Sequence, residues 1–195
     1  MKCIIKPLLL VCIMVWSVAV GAAADNIVSI GTVEGQPGDT VVLQIGLANT
    51  DNVSSAQVSI PFDARLELVE NSAKVTGRTS EHRVTAGVKD GKLNIFVYSM
   101  TMGDIAPGDG SIATVKLKLG KEPSNIVLRA DKVVLTDSKG SVLPNATATD
   151  GSATISCAKA KYSSMLLDYG RVPIRSSYQQ MVTVGNVGNA PLMIE

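Results

Sequence analysis

The stretch RVTAGVKDGKLNIFVY, residues 83–98, decides the fold of this chain. Its Asp90-Gly91 pair stands between two alternating runs and predicts a β-hairpin, because both central residues of a type I′ turn need positive φ. A two-residue loop fixes the register of the two strands. In that register the apolar residues face each other on one side of the hairpin: Val88 with Leu93, Ala86 with Ile95, and Val84 with Val97.

The opposite side of this hairpin is polar on its first strand and aromatic on its second. The register sets three pairs across the strands there: Gly87 with Asn94, Thr85 with Phe96, and Arg83 with Tyr98. Aromatic rings on a solvent-facing sheet are typical of a binding surface. The alternative is that another layer or loop covers both rings. We favour the binding surface, and the exposure of the rings distinguishes the two interpretations.

The chain from Asp25 to Ser156 predicts further strands and almost no helix. Short runs rich in Val, Ile, Leu and Thr alternate with turns of Gly, Pro, Asn and Asp, which favours an antiparallel sandwich or barrel. Turns are expected at 36–39, 49–52, 107–110 and 137–140. Besides the hairpin, the predicted strands are Asn26–Thr32, Thr40–Ala48, Ser54–Phe62, Leu66–Val69, Ser111–Leu119, Asn125–Thr136 and Gly151–Ser156.

Residues 1–24 have the order of a secretory signal peptide. Lys2 and Lys6 precede an apolar run, and small residues ending at Ala24 follow it. The run is short for a membrane span and no second apolar segment follows. We therefore expect a secreted protein, extracellular or on the cell surface, with no membrane span after signal removal. Cys157 would then be the only cysteine, which excludes an intrachain disulfide.

Neither charge nor motifs indicate an enzyme, a nucleic-acid binder or a metal site. Removing the signal peptide leaves 16 basic against 17 acidic residues, a net charge of −1. His82 is the only histidine, and a lone histidine without cysteine partners is more often structural than catalytic. Asp131, Asp137 and Asp150 lie near turns but lack the spacing of a calcium loop. We predict a non-catalytic protein without a cofactor.

Several landmarks between residues 28 and 155 occur in the order of a cohesin domain. They are GDTVVL at 38–43, Phe62-Asp63 followed by LELV at 66–69, NIFVY at 94–98, GSIATVKL at 110–117 and DSKG at 137–140. This part of the chain resembles cohesins. The resemblance implies an antiparallel jelly-roll β-sandwich like that of cellulose-binding modules. It also implies a partner, the dockerin-type module of other proteins, often polysaccharide-degrading enzymes, with calcium carried by that partner.

In cohesins one sheet face contacts the dockerin helices. The matching strands here are 54–60, 83–88 and 92–99, with 125–136 as a candidate fourth. The resemblance therefore implies a partner-binding surface on the face already chosen from the hairpin register: Ser55, Gln57, Ser59, Arg83, Thr85, Asn94, Phe96 and Tyr98. Two alternatives stay open. One is a module that binds polysaccharide directly, although the mature chain would lack tryptophan. The other is a structural spacer of a surface protein.

The composition changes after Ser156. Residues 157–164 are small and polar and predict a linker, and strands are expected at 166–170, 180–184 and 191–194. DYGRV at 168–172 and VTVGNVGNAPL at 182–192 resemble the start of the Ig-like repeats of spindle-associated, ciliary and bacterial surface proteins. The sequence thus predicts a signal peptide at 1–24, a cohesin-like sandwich at 25–156, the linker, and an incomplete second Ig-like β domain at 165–195.

Overall fold

The computed structural model describes residues 26–193, so the predicted signal peptide lies outside the described residues. These residues form strands and one 3₁₀ helix, Gly77–Thr79. The strands are β1 (Asn26–Ile30), β2 (Thr32–Gly35), β3 (Thr40–Asn49), β4 (Ser55–Pro61), β5 (Leu66–Leu68), β6 (Lys74–Val75), β7 (His82–Lys89), β8 (Lys92–Ser99), β9 (Gly108–Leu119), β10 (Ser124–Leu128), β11 (Lys132–Thr136), β12 (Ala146–Thr149), β13 (Gly151–Ile155), β14 (Ala160–Tyr162) and β15 (Val184–Asn186).

The strands form a sandwich of β-sheets, as the sequence predicts. One sheet has the order β12-β1-β3-β9-β5, with β6 also paired to β9. A four-stranded sheet has the order β11-β4-β8-β7, and a three-stranded sheet has the order β10-β13-β2. The predicted all-β sandwich is confirmed.

Paired glycines let the chain pass between sheets. Where the sequence predicts one strand over 26–32, the chain instead breaks at Gly31 into β1 and β2, which belong to different sheets. The Gly31 N–H donates to the Gln44 carbonyl at 2.8 Å, and a Cβ on Gly31 would lie 2.9 Å from that oxygen. A Cβ on Gly151, at the passage from β12 to β13, would lie 2.1 Å from the Gly31 carbonyl oxygen. Side chains are therefore excluded at both crossings.

One apolar core lies between the sheets. Inward residues of β3 and β9 alternate as predicted, and Leu43, Ile45, Val115 and Leu117 are fully buried. They pack in one cluster with the inward residues of β4 and β8. Burying aliphatic side chains of this size contributes about 1.5–3 kcal/mol each. This core holds the four-stranded sheet with its outer face toward solvent.

Two local predictions are wrong. The predicted strand Asn125–Thr136 is two strands, β10 and β11, which lie in different sheets and are separated by residues 129–131. The predicted turn at 107–110 instead opens β9, where Gly108 and Gly110 pair with Asn49 and Leu47, next to a register shift between Ile45 and Gly46. In addition, β12 was not predicted, and it pairs in parallel with β1.

The segment after Ser156 forms a short ribbon. Strands β14 and β15 pair antiparallel, so three residues of the predicted linker are a strand. No strand occurs at 166–170, and the predicted 191–194 strand lies partly outside the described residues. Every residue from 157 to 193 stays at least partly exposed. The predicted Ig-like repeat is not confirmed.

Candidate functional site

The β7–β8 hairpin has the turn that its sequence predicts. Asp90 and Gly91 have φ of 53° and 70°, as a type I′ turn requires. The register is also confirmed, since Lys89 pairs with Lys92, Ala86 with Ile95, and Arg83 with Tyr98. The Phe62 N–H donates to the Gly91 carbonyl at 2.8 Å, which ties the turn to the end of β4. The hairpin is therefore held at both its turn and its core side.

Strand pairing brings all eight predicted site residues to one outer face. Neighbouring strands lie about 4.8 Å apart, and rows of the same face about 7 Å apart. We call this surface the aromatic face. Its three rows, read from β11 through β4 and β8 to β7, are Thr136-Ser55-Tyr98-Arg83, Val134-Gln57-Phe96-Thr85 and Lys132-Ser59-Asn94-Gly87.

The two aromatic rings lie on the outer side of the sheet. Phe96 is 40% exposed and Tyr98 is partly exposed, whereas Leu93, Ile95 and Val97 of the same strand are buried. No other layer therefore covers the rings among the described residues. Together with Val134 and Gln57 they border a depression of about 290 Å³.

The solvent exposure of two residues in the four-stranded sheet differs from the prediction. Ser59 is on the predicted face but is only 4% exposed, and its hydroxyl donates to the Asn94 side-chain oxygen at 2.7 Å. Ser59 therefore supports Asn94 and is not itself a contact surface. Val88 was expected in the core but is 46% exposed, because β7 is the edge strand of its sheet.

Sequence reasoning missed the contribution of β11 to this face. Lys132, Val134 and Thr136 lie opposite Ser59, Gln57 and Ser55, and the Ser55 and Thr136 hydroxyls are 2.6 Å apart. The only signal for these residues was the placement of 125–136 as a candidate fourth strand. Since the sequence predicts one strand over that range, its alternation does not identify which residues of β11 face outward.

The charge of the aromatic face is positive. Its three rows contain Arg83 and Lys132, both exposed, and no carboxylate. Lys92 lies just beyond the third row and forms an ion pair with Asp131. A flat surface with central aromatic rings, hydroxyl and amide groups and peripheral cations fits a protein partner, with apolar anchors inside a polar rim.

His82 lies on the core side of β7 and away from the aromatic face. It is 7% exposed, and neither ring nitrogen has a hydrogen-bond partner among residues 26–193. Within the same residues there is no group of three or more His, Cys, Asp or Glu side chains placed to hold a metal ion. No helix of this part of the chain is long and apolar enough to cross a bilayer.

Comparison with known proteins adds a family and a fold. The profile of the cohesin domain family matches residues 27–155. No curated protein sequence matches the chain. Among solved structures, a non-cellulosomal cohesin from the archaeon Archaeoglobus fulgidus is similar, with a TM-score of 0.56 and 20% identity over 68% of this chain and 91% of that one.

Two further similar structures are complexes. The sixth cohesin of Acetivibrio cellulolyticus scaffoldin B, solved with a Cel5 dockerin mutant, has a TM-score of 0.56 and 24% identity, over 67% of this chain and 99% of that one. A type I cohesin–dockerin complex from Clostridium thermocellum has a TM-score of 0.55 and 15% identity, over 67% and 93% of the two chains. At these identities the structures establish a shared fold.

Proposed function

The chain belongs to the cohesin family, and we propose that it is a secreted, non-catalytic module that binds dockerin-bearing proteins through the aromatic face. The observation that carries this proposal is the exposure of Phe96 and Tyr98 at the centre of a polar, positively charged sheet. Similar cohesins have been solved with dockerins bound. The calcium of such a complex would be carried by the dockerin.

The position of each residue on the aromatic face indicates its role in binding. Phe96 and Tyr98 lie in adjacent rows on the central strand β8, where a partner would exclude water most completely. Rings at such central positions are the residues that most often dominate binding energy. Gln57 and Asn94 flank them with amide groups, and Arg83 and Thr85 lie on the edge strand. The charged residues are peripheral and would mainly affect the association rate.

The proposal is tested by removing both rings. We expect the double variant Phe96→Ala, Tyr98→Ala to weaken capture of a recombinant dockerin by about 2 kcal/mol or more, roughly thirtyfold. Isothermal titration against a panel of dockerin modules measures the effect. The matched control is Tyr169→Ala, Tyr178→Ala, because these rings are 45% and 58% exposed in the C-terminal segment, away from the face.

Two outcomes distinguish an error in the proposed function from an error in the proposed binding surface. If the wild-type protein binds no dockerin in the panel, the proposed function is wrong. If it binds one and the Phe96, Tyr98 variant binds equally well, the aromatic face is not the docking surface. Circular dichroism of both double variants confirms that neither change unfolds the sandwich.

A further inference from the structure

One edge of the four-stranded sheet is open to another strand. The sheet ends at β7, and within the described residues the backbone of 83–89 makes hydrogen bonds only to β8. At the other edge, the C-terminal end of β11 is covered, since the Leu143 N–H donates to the Leu135 carbonyl at 2.8 Å and Thr136 bridges to Val142. The outward N–H and C=O groups of β7 thus remain available for pairing.

The available part of β7 is its second half. Residues 73–75 lie beside the first half of β7, from His82 to Thr85. Beyond them, a groove of about 630 Å³ separates Ala86, Gly87 and Val88 from the segment 66–71. We call Thr85–Lys89 the open edge. Its β-ladder to β8 has no bulge, and it contains no proline, so it lacks two devices that commonly block edge strands.

We propose that the open edge binds an extended acidic segment of a partner protein by adding it as a fifth strand to the sheet. This inference does not depend on the dockerin proposal, because it uses backbone groups and a groove beside the aromatic face. Main-chain hydrogen bonds supply affinity in this mode of recognition, and alternate side chains supply specificity.

The basic residues of β7 indicate that the added strand is acidic. Lys89 and Arg83 project from the outer side of β7, are exposed, and have no ion-pair partner among the described residues. An acidic residue opposite Lys89 would form a direct cross-strand ion pair with it, and an acidic residue opposite Thr85 would form a diagonal pair with Arg83. The side chains opposite Ala86 and Val88 would enter the groove beside Phe62 and Leu68, so they should be aliphatic. Glu67 and Glu70 line the far wall, which places the acids of the partner on the outer side.

The same charges disfavour a second copy of this chain. Two copies paired antiparallel over the open edge would be centred on Gly87. Lys89 of each copy would then lie opposite Thr85 of the other and diagonal to its Arg83. Like charges would therefore meet at both ends of the pairing, which is destabilising.

The test uses a capped peptide, Glu-Val-Thr-Val-Glu, which gives the same pairing in either direction. Titration into the isotope-labelled protein should shift the backbone amides of 85–89. Methylating the peptide nitrogens of one alternate set of residues should abolish the shifts, and methylating the other set should not, because only alternate residues face a neighbouring strand. The peptide Lys-Val-Thr-Val-Lys should bind more weakly.

Matched protein variants test the charges. Lys89→Glu should weaken binding of the acidic peptide roughly fivefold. Lys132→Glu makes the same change on the same sheet face at the opposite edge, and should not weaken it comparably. The proposal is overturned if the peptide causes no saturable shifts at 85–89, or if the two methylated peptides behave alike. It is equally overturned if those amides gain protection with protein concentration alone, because a second copy then occupies the edge.

Discussion

At the scale of single residues, Arg78 connects the end of β3 to the loop before β9 through several hydrogen bonds. Its guanidinium donates to the Leu47 carbonyl, to the Asn49 side-chain oxygen at 2.7 Å and to the Ala106 carbonyl at 2.9 Å. These acceptors belong to the end of β3 and the loop before β9. Hydrogen bonds to charged groups contribute about 1.5–3 kcal/mol, and unpaired acceptors add a penalty.

We expect Arg78→Ala to lower the free energy of unfolding by about 3 kcal/mol. Urea denaturation measures the change. Arg171→Ala is the control, because Arg171 is exposed and no hydrogen bond of its side chain to the described residues occurs, so its change should stay within about 0.5 kcal/mol. Equal effects of the two substitutions would show that the Arg78 network does not stabilise the fold.

Asp63 gives the stability a dependence on acid pH. The Arg65 guanidinium hydrogen-bonds the Asp63 carboxylate, at 2.8 and 2.6 Å, and lowers the pKa of that carboxyl to about 2. Because the folded-state pKa is below the ordinary value of 3.8, the pair stabilises the fold above about pH 4, and this contribution is lost as the pH falls toward 2.

We therefore expect Asp63→Asn to be less stable than the wild type at neutral pH, with the difference closing between pH 4 and pH 2. Urea denaturation across this range measures it. Arg65→Gln removes the same pair and should give a similar profile. A difference that stays constant down to pH 2 would contradict the assignment.

At the scale of elements, the turn of the β7–β8 hairpin depends on Gly91. Its φ of +70° is unfavourable for a residue with a Cβ, although no atom lies within 4 Å of a Cβ built there. We expect Gly91→Ala to lower the free energy of unfolding by about 1 kcal/mol through backbone strain alone. Gly77 has equal space and no positive φ, so Gly77→Ala should have no such cost. Similar losses for both variants in urea denaturation would exclude the turn as the cause.

This hairpin was predictable because everything that fixes it is local. Asp90 and Gly91 set the turn, the turn sets the register, and the register identifies the side of the sheet that carries Phe96 and Tyr98. The split of 125–136 was not predictable in this way. Residues 129–131 carry the chain from one sheet to another, and the partners that distinguish β10 from β11 are β13 and β4, distant in sequence.

Exposure within a correctly predicted face also depends on distant partners. Alternation places Ser59 on the outer side, but it is buried between its neighbours Lys132 and Asn94 on the adjacent strands. Alternation places Val88 on the core side, but its exposure results from the position of β7 at the edge of the sheet. A sequence pattern indicates the direction of a side chain, whereas coverage depends on the neighbours that the topology supplies.

At the scale of the whole molecule, the segment after β13 is fastened to the sandwich. The Asn189 side chain accepts from the Cys157 N–H at 2.9 Å and donates to the Ile155 carbonyl at 2.8 Å. The Asn186 side chain accepts from the Lys159 N–H at 3.2 Å. The residues predicted as a linker are therefore held by the GNVGN motif at 185–189, which returns to them from about thirty residues further along the chain.

The contact between the segment after β13 and the GNVGN motif can be tested at Gly188, which packs closely against the backbone of residues 157–159. A Cβ on Gly188 would lie 2.2 Å from the Cys157 carbonyl oxygen and 2.6 Å from the Lys159 nitrogen, so a side chain cannot enter without moving the backbone. We expect Gly188→Ala to release the 157–162 segment, seen as faster hydrogen exchange at the Cys157 and Lys159 amides, while the melting temperature of the sandwich stays unchanged. Gly185→Ala is the control, because the nearest atom to its Cβ is 4.0 Å away. Unchanged exchange in Gly188→Ala would mean that the segment is not held by this contact, and a lowered melting temperature would mean that it contributes to the stability of the sandwich itself.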